Sequence, residues 1–234
     1  MSSHIFVGDF WTIWKVVPQT LGLSFLILIL ATLLGSLFWQ IQESRHTAIK
    51  FLYHAFSSYF RGVPLLIHLL IFYYGLPIVI KALSNQLNWG VNTNQLNPIY
   101  AVIVSYTLYS ASFLAEIIRG SFKSVGTDQL EAASALGYTG TQRFFAVWLP
   151  QALSEALPKI LNYYTLLIRQ LSLAFLVSVV DIFAKAKLET AANDRYIEAF
   201  CAAAIVYWIL CVVLTLIFSK VEHYLRRYDR GVLA

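Results

Sequence analysis

The chain has 234 residues, 59% of them hydrophobic and only 12% charged, with a net charge of +5. A soluble domain of this size carries about a quarter charged residues, so the composition excludes an ordinary soluble enzyme and favours one integrated membrane domain over residues 1–234. The basic residues form no interleaved basic and aromatic surface, which argues against a nucleic-acid partner and leaves membrane lipid as the surrounding phase.

The first twenty residues carry Asp9, Lys15 and Pro18 and lack a basic run, so no cleavable signal is expected. Apolar runs of at least ~18 residues read as spans. The first covers Pro18 to Trp39 and the second Tyr59 to Ile80. A polar loop with five Asn, Leu83 to Asn97, leads to a third span, Pro98 to Ile118. A polar region from Arg119 to Gln142 follows. The fourth span has an amphipathic approach from Phe144 and a core from Leu157 to Val180. A charged loop, Asp181 to Glu198, precedes the fifth span, Ala199 to Phe218, and a basic tail. The fifth span is almost wholly apolar and is expected to face lipid or a subunit partner. Cys201 and Cys211 lie ten residues apart on it, roughly 15 Å along a helix, too far to bridge.

Orientation follows from the placement of Lys and Arg. With the N-terminus outside, the inner segments hold Arg45, Lys50, Arg61, Arg119, Lys123, Arg143, Lys220, Arg226, Arg227 and Arg230, against Lys15, Lys81, Lys185, Lys187 and Arg195 outside. The bias predicts five spans, N-out and C-in, with the third inter-span region in the cytoplasm.

That region carries the most informative pattern in the chain: Glu131-Ala132-Ala133, then Gly137, then Val147-x-Leu149-Pro150. Asp128 to Leu136 reads as a short amphipathic helix. Thr127 is its candidate cap, and Glu131 lies in the first turns, where the helix dipole favours an anion. Gly137 is the natural terminator because it tolerates a left-handed conformation. Thr141 to Trp148 begins a second helix, and Pro150 is expected to bend its exit. A helix–Gly–helix elbow with exposed apolar residues is suited to docking.

Two polar stripes occupy the spans. Glu155, Asn162, Thr165, Arg169 and Ser172 fall at steps of 7, 3, 4 and 3, on one helical face about 26 Å long. Against lipid, a central Arg alone costs about 2.5–3.5 kcal/mol; lining a wet cavity avoids that cost. Gln170 stands one step round from this stripe. Ser105, Tyr109, Ser112 and Glu116 form the second stripe, with Glu116 a candidate counter-charge to Arg169. The small polar residues among them serve equally well as hydrogen-bonding contacts between packed helices. His68 is read as a packed, hydrogen-bonded histidine and Arg61 as an interfacial anchor or loop-fixing residue.

The loop resembles the cytoplasmic "EAA" loop of the membrane subunit of ABC importers. The resemblance runs from about Leu21 to Arg227. Arg61-Gly62-Val63-Pro64-Leu65-Leu66 with Tyr73-Tyr74-Gly75-Leu76-Pro77 is similar to the "RGTPLL…YYGLP" signature of polar amino acid permeases. Ala115-Glu116-Ile117-Ile118-Arg119-Gly120 is similar to "AEIxRG", and Leu149-Pro150-Gln151-Ala152 to Ala156-Leu157-Pro158 to "LPQAxxxALP". The resemblance implies an all-α type I importer permease fold of the histidine/glutamine/cystine branch, in the bacterial cytoplasmic membrane. Residues 128–150 are then the cytoplasmic coupling loop with short coupling helices. Its implied partners are a second permease subunit, identical or homologous, two ATPase subunits that carry ATP and Mg, and an extracytoplasmic substrate-binding protein. Glu131, Ala132, Ala133, Gly137, Leu149 and Pro150 become the ATPase contact. Arg169, Gln170, Ser172, Asn162, Thr165, Ser105, Tyr109, Ser112 and Glu116 become the pathway of an amino acid cargo.

Relatives often read Lys-Asp-Thr-Ser-Leu where this chain reads Arg169-Gln170-Leu171-Ser172-Leu173. Loss of the acid argues against arginine or lysine as cargo. The stretch from Ser172 to Phe200, with Tyr207-Trp208, is similar to Gram-positive cystine permeases. No catalytic residue, bound cofactor or metal site is expected, since the five His never pair at ligand spacing and no Gly-x4-Gly-Lys-[Ser/Thr] loop occurs. The rival is an ion-gradient-driven secondary transporter or channel, which would carry internal repeats and broken helices.

Overall fold

The computed structural model describes residues 3–88, 96–193 and 195–230, with side chains described over 6–88, 96–191 and 195–223. Residues 89–95 of the polar loop, and the side chains beyond residue 223, lie outside the described residues. The described chain is helical nearly throughout. Helix α1 (Ser3–Trp14) runs into α2 (Val17–Glu43), followed by α3 (Thr47–Gly62), α4 (Leu65–Leu87) and α5 (Ile99–Ser124). Two short helices, α6 (Thr127–Ala135) and α7 (Gly140–Arg143), then lead through a π-helical stretch, Phe144–Trp148, into α8 (Leu149–Gln170). A 3-10 stretch, Leu171–Val177, precedes α9 (Ile182–Asn193) and α10 (Tyr196–Arg230).

Five segments are long and apolar enough to span a membrane: Phe6–Glu43, Leu65–Leu87, Ile99–Ser124, Gly140–Val177 and Tyr196–His223. The five expected spans are present, with shifted edges. The second begins at Leu65, because Gly62-Val63-Pro64 breaks the chain: Val63 is extended and Pro64 starts the new helix. Tyr59 and Arg61 therefore belong to α3, a separate amphipathic helix whose buried face is Tyr53, Ser57 and Phe60. Helix α4 continues four residues past Leu83 and ends on Asn88 in a left-handed conformation. The charged stretch after Asp181, expected as a loop, forms α9; its Lys185–Glu189 ion pair at 2.9 Å has the favourable i,i+4 spacing.

Helix α5 is the centre of the packing. Gly35 of α2 lies against it so closely that a Cβ there would sit 3.1 Å from the Ala115 nitrogen and 3.2 Å from the Leu114 Cβ. The main core joins Ile27, Leu28 and Ala31 of α2, Val102, Tyr106 and Leu114 of α5, and Leu167 and Ile168 of α8. Helix α10 does not lie wholly against outside partners: Ala199, Ala202, Ala203, Val206 and Leu210 are buried, all but Ala199 in that core. Its other side exposes Ile197, Trp208 and Leu216.

Candidate functional site

The loop between α5 and α8 is built by local rules. Gly126, extended at φ −60° and ψ 140°, starts α6; Thr127, the expected cap, stands one residue inside the helix. Asp128 occupies the first turn, near the positive end of the dipole. At the far end Gly137 has φ +83°, the Gly137 N–H bonds the Ser134 carbonyl at 3.0 Å and the Tyr138 N–H bonds the Ala133 carbonyl at 3.1 Å. This is a Schellman closure, which favours Gly because a left-handed Cβ is strained. Helix α7 starts on a reciprocal capping box between Thr139 and Gln142, one residue before the expected start. The Arg143 guanidinium donates to Ser134 Oγ at 2.6 Å and ties the elbow's two helices together. Ala133 faces inward. Glu131, Ala132, Gly137 and Pro150 face outward, as does Leu136, 79% exposed, while Leu149 is part-buried.

Pro150 follows a π-helical stretch at the entry to α8 and does not interrupt the helix. Proline lacks an N–H and its ring crowds the carbonyl four residues back. The helix answers with the π stretch at Phe144–Trp148 and continues unbroken. Trp148, at the end of that stretch, donates its indole N–H to the Phe122 carbonyl of α5 at 2.9 Å. Phe122 stacks on Trp39 of α2 with centroids 4.0 Å apart. The elbow is thereby joined to α2, α5 and α8 by one aromatic cluster.

The α8 stripe is on an open face. Glu155, Asn162 and Arg169 are exposed and Thr165 is half-buried. Arg169 Nε donates to the Thr165 carbonyl at 3.2 Å, and Arg169 makes no ion pair among the described residues. Glu116 does not answer it; that carboxylate pairs with Arg119 at 3.2 Å, one turn along its own helix. Glu155 is taken by Lys159, also at 3.2 Å. Ser172 falls in the 3-10 stretch, with its hydroxyl on the Arg169 carbonyl.

The α5 stripe divides. Ser105 and Ser112 are fully buried, and their hydroxyls return to the Ala101 and Tyr109 carbonyls of their own helix, so they belong to the packed core and not to an open pathway. Tyr109 and Glu116 stay half-buried. Tyr109 lies close to Gln170 at the end of α8. His68 packs as expected, stacked on Phe60 with centroids 4.6 Å apart, but neither ring nitrogen has a hydrogen-bond partner among the described residues. Arg61 lies 5.5 Å over the Phe113 ring, at a cleft of about 490 Å³ that Glu116 also lines.

Residues 28–227 match the family described as binding-protein-dependent transport system inner membrane component. The chain belongs to this family. It is 32% identical over 216 residues to the probable amino-acid permease protein YxeN of Bacillus subtilis (strain 168), covering 92% of each chain. It is 31% identical over 228 residues to the L-cystine transport system permease protein TcyL of the same organism, covering 97% of this chain and 93% of the relative. Among solved structures, an amino acid ABC transporter with histidines superimposes with a TM-score of 0.82 at 24% identity, over 96% of this chain and 99% of that one. The MetNI methionine ABC transporter in an inward-facing conformation gives 0.73 at 16% identity, over the same shares. The two likenesses establish the fold as that of ABC importer permeases.

For an inner membrane component of this family the elbow and the open stripe were both legible from spacing. Trp148, Phe122 and Trp39 were not, since three aromatics spread over 110 residues give no local signal. Neither was Tyr106, whose hydroxyl donates to the Gln170 carbonyl at 2.8 Å, where α8 gives way to the 3-10 stretch.

Proposed function

We propose that this inner membrane component carries a polar amino acid, with cystine as the favoured cargo, into the cytoplasm by alternating access. The observation that carries the reading is Arg169: an exposed guanidinium without an ion pair among the described residues, at the head of an open polar face in a membrane-spanning helix. Arg169 takes the cargo carboxylate. Asn162 and Thr165 offer further polar contacts along the same face, and Gln170 with Tyr109 forms its inner wall. The neutral Gln170 disfavours a second cationic group on the cargo. Similarity to L-cystine permeases at 31% identity, TcyL and TcyB, supports cystine.

The working unit is two permease subunits, two ATPase subunits with ATP and Mg, and an extracytoplasmic binding protein, in a bacterial cytoplasmic membrane. The permease is N-out and C-in, and its 128–150 elbow docks on the ATPase. Glu131, Ala132, Gly137 and Pro150 form the contact surface; Ala133 and Leu149 shape it from behind. ATP-driven movement of the elbow reaches the spans through Trp148, Phe122 and Trp39.

The test is cargo-stimulated ATP hydrolysis by the assembly in proteoliposomes with its binding protein. Cystine is expected to raise hydrolysis, and Arg169→Ala to remove at least about 90% of that stimulation while leaving basal hydrolysis intact. Two carboxylate hydrogen bonds to a charged donor, at about 1.5–3 kcal/mol each, support a loss of that size. Uptake driven by an ion gradient without nucleotide would replace this reading with a secondary transporter.

A further inference from the structure

The polar face of α8 leads to a buried acid that transport, as proposed, leaves without a role. Asp181 is 1% exposed. It stands at the start of α9, three residues after Ser178, which holds a left-handed φ of 61°. One carboxylate oxygen accepts the Ala184 N–H at 2.9 Å, closing the first turn of α9. The other accepts the Tyr207 hydroxyl of α10, also at 2.9 Å. A buried carboxylate ordinarily has a cationic partner. The titratable groups facing Asp181 are instead Tyr207 from α10 and Tyr106 from α5. Within α9, Lys185 is taken by Glu189, and Lys187 lies 4.6 Å over the Phe175 ring. On α1, Asp9 faces Glu189, Glu198 and Arg195.

Tyr106 and Tyr207 bracket the 3-10 stretch. Tyr106 holds its beginning through the Gln170 carbonyl, and Tyr207 holds the turn after it through Asp181. A 3-10 run of seven residues is long for its kind, and a left-handed serine is uncommon. Such conformations persist where neighbours hold them, and here the two tyrosines do so.

We infer that Asp181 and Tyr207 form a latch that pins α9 to α10 at the outer end of the Arg169 face, and that this latch opens and closes during transport. Asp181 is thus a positioning residue. The inference rests on the proposed transport and on N-out orientation. It carries a pH dependence of definite sign. Burial pushes the closed latch's carboxyl above its ordinary value, against the opposing pull of the Ala184 and Tyr207 hydrogen bonds. Opening to water returns it to the ordinary range and releases a proton outward. Closure therefore takes up a proton, and acid on the outer side favours the closed latch. Between the ordinary and the raised value, the open fraction falls by up to about tenfold per pH unit; outside that window it is flat. Protonated Asp181 keeps a carbonyl oxygen for Ala184 and offers its own O–H to the Tyr207 oxygen, so the closed geometry accommodates the proton.

The test uses the full assembly in proteoliposomes, with Cys201→Ser, Cys211→Ser and Ala186→Cys. Ala186 lies fully buried in α9, so a thiol there reacts when α9 lifts. A membrane-impermeant maleimide is added outside at pH 4.5 to 7.5, and each rate is divided by that of the same protein with Asp181→Asn. The asparagine retains an acceptor for Ala184 but does not titrate. The ratio is expected to fall several-fold towards acid, and Tyr207→Phe is expected to raise labelling throughout. A flat ratio, labelling unmoved by Tyr207→Phe, or labelling only from the inside overturns the latch. Cargo-stimulated hydrolysis is read on the same vesicles. If no amino acid stimulates it while labelling still follows pH, the cargo assignment fails and the latch stands.

Discussion

Gly137 shows how much one residue can reveal. A Cβ there meets nothing within 4 Å, so its cost is backbone strain alone, about 1–2 kcal/mol at φ +83°. Substitutions should then rank by tolerance of the left-handed region and not by size. Gly137→Asn is expected to retain most of the co-purifying ATPase, Gly137→Ala less, and Gly137→Val least; quantified subunit ratios after affinity capture check the order. A ranking by side-chain volume would refute the strain argument. Gly137 was legible because its constraint is local. Ser105 and Ser112 were not legible as core, although their spacing is as regular as that of Asn162, Thr165 and Arg169. Periodicity says that residues share a face; it does not say which face another helix covers. Asp181 illustrates the same limit, since its partner Tyr207 lies 26 residues away on another helix.

At the scale of elements, apolar length located all five spans, while their edges were set by backbone chemistry that hydropathy misses. The Val63-Pro64 break moved the second span, and α9 formed where charge density had pointed to a loop. The π stretch is a further case. Pro150→Ala restores an N–H and removes the crowding that the wider turn relieves. The extra residue should then be reabsorbed, turning α7 and the elbow by about 100° relative to α8. The expected outcome is an assembly that still binds ATPase but loses several-fold of its cargo stimulation; unchanged stimulation would show that the π turn does not set the elbow's direction. The α2–α5 contact makes a separate prediction. Gly35→Leu has no room beside Leu114 and Ala115, and overpacking of this kind costs about 1–3 kcal/mol. Thermal unfolding in detergent should begin several degrees lower than in the parent chain.

Among the described residues, exposed surfaces of two kinds stand out. One is an apolar belt including Leu33, Ile78, Trp208 and Leu216, suited to lipid or to a second subunit. The other is the polar α8 face, which the elbow precedes in the chain. The proposed N-out orientation would place Leu136, at the elbow's tip, in the cytoplasm. Leu136→Cys in a chain lacking Cys201 and Cys211 should therefore react with an impermeant thiol reagent in inside-out vesicles and stay unreacted in right-side-out ones. The reverse result would invert the topology, and with it the direction of transport.

The seven residues Leu171–Val177 have a consequence of pitch and length. A 3-10 turn rises about 2.0 Å per residue through about 120°, against 1.5 Å and 100° in an α-helix. Rewinding all seven as α-helix shortens the rod by about 3.5 Å and turns its far end by about 140°. The stretch starts two residues after Arg169 and ends four before Asp181, so on the transport proposed above it would act as a screw thread between them. Each residue rewound beside Arg169 would turn the chain at Asp181 by about 20°.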